Sequence, residues 1–464
     1  METFDLVVIG AGPGGYPCAI RAAQLGASVA IIEREQLGGT CLNWGCIPTK
    51  ALISGAELYS RISDATTRGI KATGVAIDYA ALVAHKNRAV EQLRNGINQL
   101  LHAHGVKQFS GTARFVDRTT LEIKSADGTA RLSAKRVVIA TGSTSVMPAF
   151  LPEHPRVVES RAFLGMEELP ESLLVLGGGY IGCELACMAA QCGVKVTIVE
   201  LLEDILLVLD PDVRREVRTH MEQKLGIRVM TGRSLDSVAA DGSGLTCKCG
   251  NDTLHVGMVL AAVGRRPVTD GLNLEAAGIK TDERGFVRVD EFGRTNVANI
   301  FAVGDVTGRV QLAHYATAQG IAVAETVCGQ KPRKFESVVP CVIFTSPEIA
   351  FVGLTEEEAR KQNRQVLTGK FRYSALGRAV AAGETSGFVK WIVDPETDQL
   401  LGAAAVGPHA TELIAEAAVA VRAELTATEL AHTIHAHPTF GEMWMEAAHA
   451  VHGQCIHAPP RRKK

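Results

Sequence analysis

Apolar residues in the first third of the chain occur in short runs that are typical of strands buried on both faces. Residues 4–9 and 28–32 are two such runs, and a stretch with helical periodicity at 16–25 separates them. The same order recurs later, where apolar runs at 173–176 and 194–199 flank another helical stretch. This alternation of buried strands and helices predicts an α/β fold with parallel sheets.

A glycine-rich loop follows the first strand of each copy. Both loops have the spacing of a dinucleotide-binding turn, in which glycines let the backbone approach a pyrophosphate at a helix N-terminus. An acidic residue ends the second strand and can accept hydrogen bonds from ribose hydroxyls. An offset of 167 residues relates Gly10, Gly15 and Glu33 to Gly177, Gly182 and Glu200. We therefore predict two copies of one nucleotide-binding unit.

Two cysteines, Cys41 and Cys46, follow the first unit in a segment that also holds several glycines, Pro48 and Lys50. Proline suits the first turn of a helix, so the pattern predicts Cys46 at a helix N-terminus. The helix dipole and the nearby lysine favour a thiolate there. On one regular helix the two cysteines would not face each other, so a bridge would need irregular backbone around Gly45. The segment predicts a redox disulfide beside an electron acceptor.

Zinc binding and simple burial are the two other interpretations of these cysteines, and both fit the segment less well. Zinc-binding pairs usually have closer spacing and a second pair nearby, which this segment lacks, and buried thiols would not explain the accompanying glycines, proline and lysine. Cys247 and Cys249 alternate as strand residues do, and we interpret them as packing residues. Helical spacing predicts the same packing role for Cys183, Cys187 and Cys192.

A second chemical segment lies near the C-terminus, at 435–442. A thiol substrate must lose a proton before it attacks a disulfide, and histidine can accept that proton near neutral pH. His437 is followed by Glu442, which could orient the imidazole. His432, His435 and His437 could instead bind a metal, but no cysteine or aspartate cluster completes such a site. We interpret His435 as a hydrogen-bonded structural group.

The last third of the chain has no nucleotide-binding motif. Strand-like runs at 342–345, 387–393 and 401–406 precede the helical stretches 411–423, 426–433 and 441–451. This order predicts an α+β unit.

Composition and charge narrow the class of protein. The chain has 464 residues, of which 46% are hydrophobic and 21% charged, an ordinary globular profile for several domains. A net charge of −2 gives no electrostatic case for nucleic acid, and we expect the basic run 461–464 to be a solvated tail. Eleven scattered cysteines suit a reducing, cytoplasmic compartment. We expect no signal peptide and no membrane span.

The redox segment, both glycine loops and the histidine segment together resemble the flavin-dependent disulfide reductases (class I pyridine nucleotide-disulfide oxidoreductases). Among these, the chain is most similar to the branch that oxidises dihydrolipoyl groups with NAD. The resemblance covers essentially the full length and implies an α/β fold with two Rossmann-like domains, for FAD and NAD, plus a C-terminal α+β dimerisation domain. We expect the FAD-binding domain at 1–145 and 271–335, the NAD-binding domain at 146–270 and the dimerisation domain at 336–464.

The resemblance assigns roles to single residues. Cys41 would be the outer sulfur that the substrate thiolate attacks, and Cys46 the inner sulfur facing the flavin. Lys50, paired with Glu184, would stabilise the reduced flavin. The residues expected to bind FAD or NAD are Gly10, Gly12, Pro13, Gly14, Gly15, Glu33, Gly39, Thr40, Lys50, Ala113, Thr141, Gly142, Ser143, Gly177, Gly179, Tyr180, Ile181, Gly182, Glu200, Gly264, Asp305, Leu312, Ala313 and His314.

The resemblance also implies partners. His437 and Glu442 would approach the cysteines of the other subunit, so that a homodimer shares its active sites. The substrate would be dihydrolipoamide or a lipoylated protein domain, within a 2-oxoacid dehydrogenase or glycine cleavage complex. No metal is expected.

Several alternatives remain at this point. Glu200 would repel a 2′-phosphate, which favours NAD and counts against glutathione reductase relatives, whereas Tyr180 is a slight contrary sign. Cys455 stands alone where mercuric reductases carry a cysteine pair. The chain could also be a non-catalytic binding subunit, although it retains both cysteines and the histidine–glutamate pair. Trp44 is bulkier than the aliphatic residue expected there, and we interpret it as a packing variation.

Overall fold

The computed structural model describes residues 1–63, 65–242 and 244–459. It has the mixed α/β architecture that the sequence predicts. The basic run 461–464 lies outside the described residues. None of the helices in these ranges has the length and apolar character needed to span a bilayer.

Strands and helices alternate in the N-terminal part of the chain. Its strands are β1 (Glu2–Ile9), β2 (Val29–Glu33), β3 (Lys107–Ser110), β4 (Thr112–Phe115), β5 (Thr120–Ser125), β6 (Gly128–Ile139), β7 (Ser143–Ser145) and β8 (Val157–Glu159). Its helices are α1 (Gly15–Gln24), α2 (Gly39–Trp44), α3 (Cys46–Ser63), α4 (Tyr79–Ala103) and α5 (Ser160–Leu164).

The central part repeats this alternation. Its strands are β9 (Ser172–Leu176), β10 (Lys195–Val199), β11 (Arg228–Met230), β12 (Ser237–Asp241), β13 (Gly244–Cys249), β14 (Asp252–Val256), β15 (Met258–Ala261), β16 (Arg265–Pro267) and β17 (Ile300–Ala302). Its helices are α6 (Tyr180–Gln191), α7 (Pro211–Gln223) and α8 (Ala313–Val327).

Strands precede most of the helices in the C-terminal part. The strands are β18 (Cys341–Ile343), β19 (Ile349–Gly353), β20 (Leu367–Arg372), β21 (Phe388–Val393) and β22 (Leu400–Val406). The helices are α9 (Glu356–Lys361), α10 (Gly377–Ala382), α11 (Ala410–Arg422), α12 (Ala427–His432) and α13 (Glu442–Val451). The last three begin and end within one residue of the helices that the sequence pattern predicts.

The first sheet has the strand order β3-β2-β1-β6-β5-β4, and β17 returns from the central part to pair with β6. Strand β1 is parallel to both β2 and β6. Its residues are buried on both faces, because Leu6 and Val8 pack against the α1 side while Val7 packs on the other side with Phe115. This explains why the strand has a continuous apolar run.

The second sheet has the strand order β11-β10-β9-β15-β8. Its strands β9 and β10 pair in the same register as β1 and β2 of the first sheet. Leu6 pairs with Val29 in the first sheet, and Leu173 pairs with Val196 in the second. Both pairs are related by the offset of 167 residues found in the sequence. The repeat is therefore confirmed in backbone register. Burial of Cys183 and Cys187 on α6, and of Cys247 and Cys249 on β13, agrees with the predicted packing roles.

The third sheet is antiparallel, with the order β18-β19-β22-β21-β20, and helices α11, α12 and α13 pack against it. Two buried tryptophans join the layers: the Trp391 indole N–H donates to the Trp444 carbonyl over 3.0 Å. The burial of their large apolar surfaces makes this contact a major part of the core in this unit.

A buried lysine ties the third sheet to α7 of the central part. Lys390, with 1% of its side chain exposed, donates to Asp210 over 2.7 Å, to Asp212 over 3.0 Å and to Glu356 over 2.7 Å. Asp210 also accepts from the backbone N–H groups of Glu356 and Glu357. A charged group with this burial is stable only while its partners remain in place.

Replacing Lys390 should therefore destabilise the fold. We expect Lys390→Met to lower the free energy of unfolding by about 3–5 kcal/mol, because Asp210 is left as a buried carboxylate without its cation. Urea unfolding followed by circular dichroism measures this change. Lys361→Met is the matched control, since Lys361 is 72% exposed and pairs with Glu357 on the helix surface. It should change the stability by less than about 0.5 kcal/mol, and equal midpoints for both variants would contradict the expectation.

Candidate active site

The two cysteines lie on either side of a break between helices. Cys41 belongs to α2, whereas Cys46 is the first residue of α3, so the predicted helix N-terminus is present. Gly45 forms the break, and a side chain there would bring its Cβ within 2.8 Å of the Thr40 carbonyl oxygen. Thr49 donates its hydroxyl to the Gly45 carbonyl over 2.6 Å, which fixes the first turn of α3. The backbone around Gly45 is thus irregular, as a contact between the cysteines requires.

Both cysteines are free thiols here. Hydrogen bonding from the Cys41 thiol lowers the pKa of Cys46 to about 7; burial opposes this change, and the charge of Lys50 supports it. The same hydrogen bond and burial raise the pKa of Cys41. Because the pKa of Cys46 is depressed in the fold, its thiolate stabilises the fold above the ordinary cysteine pKa of about 8.5. That contribution is lost as the pH falls through about 7.

An ion pair fixes α3 to the second glycine unit. The Lys50 ammonium lies 2.8 and 2.9 Å from the two carboxylate oxygens of Glu184 on α6. Glu184 also accepts the backbone N–H of Phe344 over 2.8 Å, and the Lys50 nitrogen lies 4.6 Å from the centre of the Phe344 ring. Three parts of the chain therefore meet beside Cys46. The family resemblance implies the Lys50–Glu184 pair, which forms here, whereas Phe344 carries no motif and was missed.

Most predicted site residues line one cleft of about 1530 Å³ that also contains both cysteines. The predicted residues in its wall are Gly10, Gly12, Pro13, Gly14, Glu33, Gly39, Thr40, Lys50, Ala113, Thr141, Gly142, Ser143, Gly177, Gly179, Tyr180, Ile181, Glu184, Glu200, Gly264, Asp305, Leu312, Ala313 and His314. Gly15 and Gly182 lie behind the wall: a Cβ on either would approach the Gly10 or Gly177 carbonyl oxygen within 1.9 and 2.1 Å. These two glycines allow helix and strand to pack closely.

The glycine loops have room for the dinucleotides they predict. A Cβ on Gly179 would meet no atom within 4 Å, and one on Gly12 would meet its nearest neighbour at 3.9 Å. Backbone N–H groups at the N-termini of α1 and α6 are thus accessible to a pyrophosphate from the cleft. Glu33 accepts from the Ala11 N–H over 2.8 Å. Glu200 accepts from the Gly178 N–H over 2.6 Å, so both acids are held at the edges of the loops.

A polar group surrounds Asp305 at the return to the first sheet. Ser143 donates its hydroxyl to Asp305 over 2.5 Å, and Arg265 donates to the Ser143 hydroxyl and carbonyl, each over 2.7 Å. The imidazole Nε2 of His314 lies 2.8 Å from the Pro340 carbonyl oxygen. Arg265 was missed by the sequence reasoning, although it directly follows Gly264 in the segment that closes the second unit.

The predicted histidine–glutamate pair forms, but it lies outside the cleft that contains the cysteines. His437 Nδ1 is 2.9 Å from a carboxylate oxygen of Glu442, whose second oxygen accepts the Thr439 N–H over 2.8 Å. Glu442 begins α13, so its carboxylate is fixed at a helix N-terminus. The His437 side chain is 77% exposed. Both residues are described, and neither lines the cleft that holds the cysteines.

The other histidines have structural contacts. His435 Nε2 lies 2.7 Å from Glu416, and this hydrogen bond raises the pKa of His435, which agrees with its predicted structural role. Among the described residues, one cluster of potential metal ligands has its atoms close enough together to bind an ion. It consists of Asp210, Asp212 and Glu356. The ammonium of Lys390 already lies among these carboxylates.

Comparison with known protein families agrees with this geometry. Residues 4–320 match the profile of the pyridine nucleotide-disulphide oxidoreductases. Residues 339–448 match the dimerisation domain of the same group. The chain belongs to the pyridine nucleotide-disulphide oxidoreductase family.

Relatives within this family align over almost their whole length. A protein of Chlamydia muridarum named dihydrolipoyl dehydrogenase is 41% identical, with both chains covered completely. Another of that name, from Geobacillus stearothermophilus, is 41% identical over 98% of this chain and 97% of its own. Among solved structures, LpdA from Mycobacterium tuberculosis has a TM-score of 0.90 at 28% identity and covers 97% of this chain and 99% of its own. The flavoprotein disulfide reductase RclA from Escherichia coli has a TM-score of 0.87 at 31% identity, over 95% and 98%.

Removing either of the two charges beside Cys46 should shift its pKa, in opposite directions for Lys50 and Glu184. Lys50→Met removes the positive charge that lowers the pKa of Cys46, so the midpoint of its thiolate titration should rise above about 7. Glu184→Gln removes a negative charge that raises this pKa, so the midpoint should fall. Ultraviolet thiolate absorbance, taken as the difference from the Cys46→Ser variant in each background, measures both. Shifts in one common direction would contradict the assignment.

Proposed function

We propose that this disulfide oxidoreductase oxidises dihydrolipoyl groups, with electrons passing through Cys41 and Cys46 to FAD and then to NAD. The observation that carries the proposal is the position of the cysteine pair in one cleft between two equivalent glycine loops. The names and full-length similarity of the relatives support the choice of substrate. A complete histidine–glutamate base on the same chain supports a catalytic role over that of a binding subunit.

The donor sets fit both proposed cofactors. The first loop, with Glu33 and the Ser143–Asp305 pair, would hold FAD, and Lys50 would lie beside its reactive ring. The second loop would hold NAD, with Glu200 accepting from the 2′-hydroxyl and repelling the phosphate of NADP. When bound, FAD accepts an electron pair from the dithiol and NAD accepts it as a hydride.

The protein's own residues would carry the sulfur and proton chemistry. In the oxidised enzyme, Cys41 and Cys46 form a disulfide. His437 accepts a proton from a substrate thiol, and the resulting thiolate attacks Cys41. A mixed disulfide forms, and Cys46 leaves as a thiolate, for which its lowered pKa is favourable. The second substrate thiol then attacks the substrate sulfur of the mixed disulfide, which releases cyclic lipoyl product and Cys41 as a thiol.

A homodimer would complete this site. His437 is exposed and lies outside the cleft of its own chain, which supports delivery of the base to the cysteines of a second copy. We propose an FAD-binding domain at 1–145 and 271–335, an NAD-binding domain at 146–270 and a dimerisation domain at 336–464. The return of β17 to the first sheet supports the discontinuous first domain.

The expected setting follows from the substrate. A lipoylated domain of a 2-oxoacid dehydrogenase or glycine cleavage complex would present the dihydrolipoyl group. We propose a cytoplasmic location, because the scattered cysteines suit a reducing compartment.

The direct test of the proposed reaction is an initial-rate assay of the purified protein. With dihydrolipoamide as donor, NADH formation should be fast and NADP should be a poor acceptor, because the Glu200 carboxylate would repel a 2′-phosphate. Cys41→Ser should abolish the reaction because no sulfur remains for attack. Oxidised glutathione with NADPH is run in parallel. Activity with that pair alone would contradict the proposal.

The base provides a second prediction with a matched control. His437→Gln should lower the rate of dihydrolipoamide oxidation by about 10²–10⁴-fold, because the substrate thiol loses its proton acceptor. His435→Gln alters a neighbouring histidine that is also paired with a glutamate. It should leave the rate close to that of the unmodified protein. Equal losses in the two variants would show that the segment acts structurally and not through His437 as base.

A further inference from the structure

A contact between Arg161 and Trp44 holds the cysteine segment, in addition to the Lys50–Glu184 ion pair. The guanidinium carbon of Arg161 lies 3.8 Å from the centre of the Trp44 ring. Arg161 also pairs with Glu35, with 2.9 Å between Nη1 and a carboxylate oxygen. Trp44 ends α2, Arg161 belongs to α5, and both line the large cleft. The contact therefore joins the cysteine segment to a helix that lies far away in sequence.

Trp44 lies between the two cysteines in sequence, so its contact with Arg161 can affect their relative positions. Trp44 directly precedes Gly45, where α2 ends and the chain turns into α3. The start of α2 is fixed separately, because the Asn43 side chain donates to the Leu37 and Gly39 carbonyls, each over 2.9 Å. With α3 held by the Lys50 ion pair and Leu42 of α2 buried in the core, the contact of Trp44 with Arg161 acts on the last residue of α2, next to Gly45.

We propose that Arg161 is a positioning residue for the Cys41–Cys46 pair and acts through its stack on Trp44. This inference rests on the redox role proposed above for the two cysteines. By fixing the end of α2, the stack fixes the separation and orientation of the two sulfur atoms across Gly45. The bulky Trp44 is then the partner that a planar guanidinium requires, and more than a packing variation.

Planarity and not charge is the property that this role needs. The charged side chains that act most on the Cys46 thiol are Lys50 and Glu184. A guanidinium stacks flat on an indole ring, whereas a lysine ammonium keeps the charge without the flat face. The ion pair with Glu35 holds the guanidinium in place, since half of the Arg161 side chain is exposed.

The test compares Arg161→Met, Arg161→Lys, Trp44→Val and the double variant Arg161→Met/Trp44→Val. Each is titrated for the Cys46 thiolate by ultraviolet absorbance, with the same protein carrying Cys46→Ser as reference. The equilibrium of the cysteine pair with glutathione is measured alongside, and thermal unfolding records stability. Arg34→Met is the matched control, because Arg34 also approaches Glu35, at 3.6 Å, without stacking on Trp44.

We expect Arg161→Met and Trp44→Val each to raise the Cys46 titration midpoint by about one pH unit as the hydrogen bond from Cys41 loosens. The double variant should show no larger shift than either single variant, because both remove one contact. Arg161→Lys should behave like Arg161→Met, and Arg34→Met like the unmodified protein.

Four results would overturn the inference. Unchanged thiol titration and glutathione equilibrium in Arg161→Met, even with reduced thermal stability, would make the contact merely structural. Full recovery in Arg161→Lys would assign the effect to charge, and additive shifts in the double variant would separate the two residues. If the unmodified protein has no reducible Cys41–Cys46 pair, the proposed function fails and this inference fails with it.

Discussion

The close approach of each glycine loop to the backbone just after a neighbouring strand governs the geometry of the site. Gly10 packs against the Ala140 carbonyl and Gly177 against the Ala262 carbonyl, where a Cβ would lie within 2.4 and 2.5 Å of the oxygen. Both glycines have positive φ, which other residues rarely adopt. These contacts bring each loop to the ends of its parallel strands, and both loops line the same cleft.

The cysteine segment occupies the junction that this arrangement creates. Its helices begin directly beside the first loop, while Glu184 on the helix of the second loop binds Lys50. In the proposed reaction, a cysteine pair at this point would pass electrons to a cofactor held in the same cleft. Phe344, in the C-terminal part of the chain, donates its backbone N–H to the same Glu184 carboxylate. The buried Lys390 holds the C-terminal part against α7 through its ion pair with Asp210. Separate ion pairs thus hold α3 against α6 beside Cys46 and the third sheet against α7.

Much of this could be predicted from the sequence because the determining residues are close together along the chain. The glycine loops, the helix start at Cys46 and the His437–Glu442 pair each depend on fewer than about thirty residues of local pattern. Contacts between distant residues could not be predicted. Arg265 meets Ser143 across 122 positions and Lys390 meets Asp210 across 180, and neither leaves a local periodicity. The partner of Trp44 belongs to the same class, since nothing near Trp44 in sequence indicates Arg161.

We propose that the cysteines of one chain work with His437 of a second copy. A hybrid dimer of one Cys41→Ser chain and one His437→Gln chain, purified through two different affinity tags, tests this arrangement. Each homodimer lacks a complete site, but the hybrid combines one intact cysteine pair with one intact histidine. We expect the hybrid to have about half the activity of the unmodified dimer. A hybrid as inactive as its two parents would contradict it, because the base would then act within its own chain.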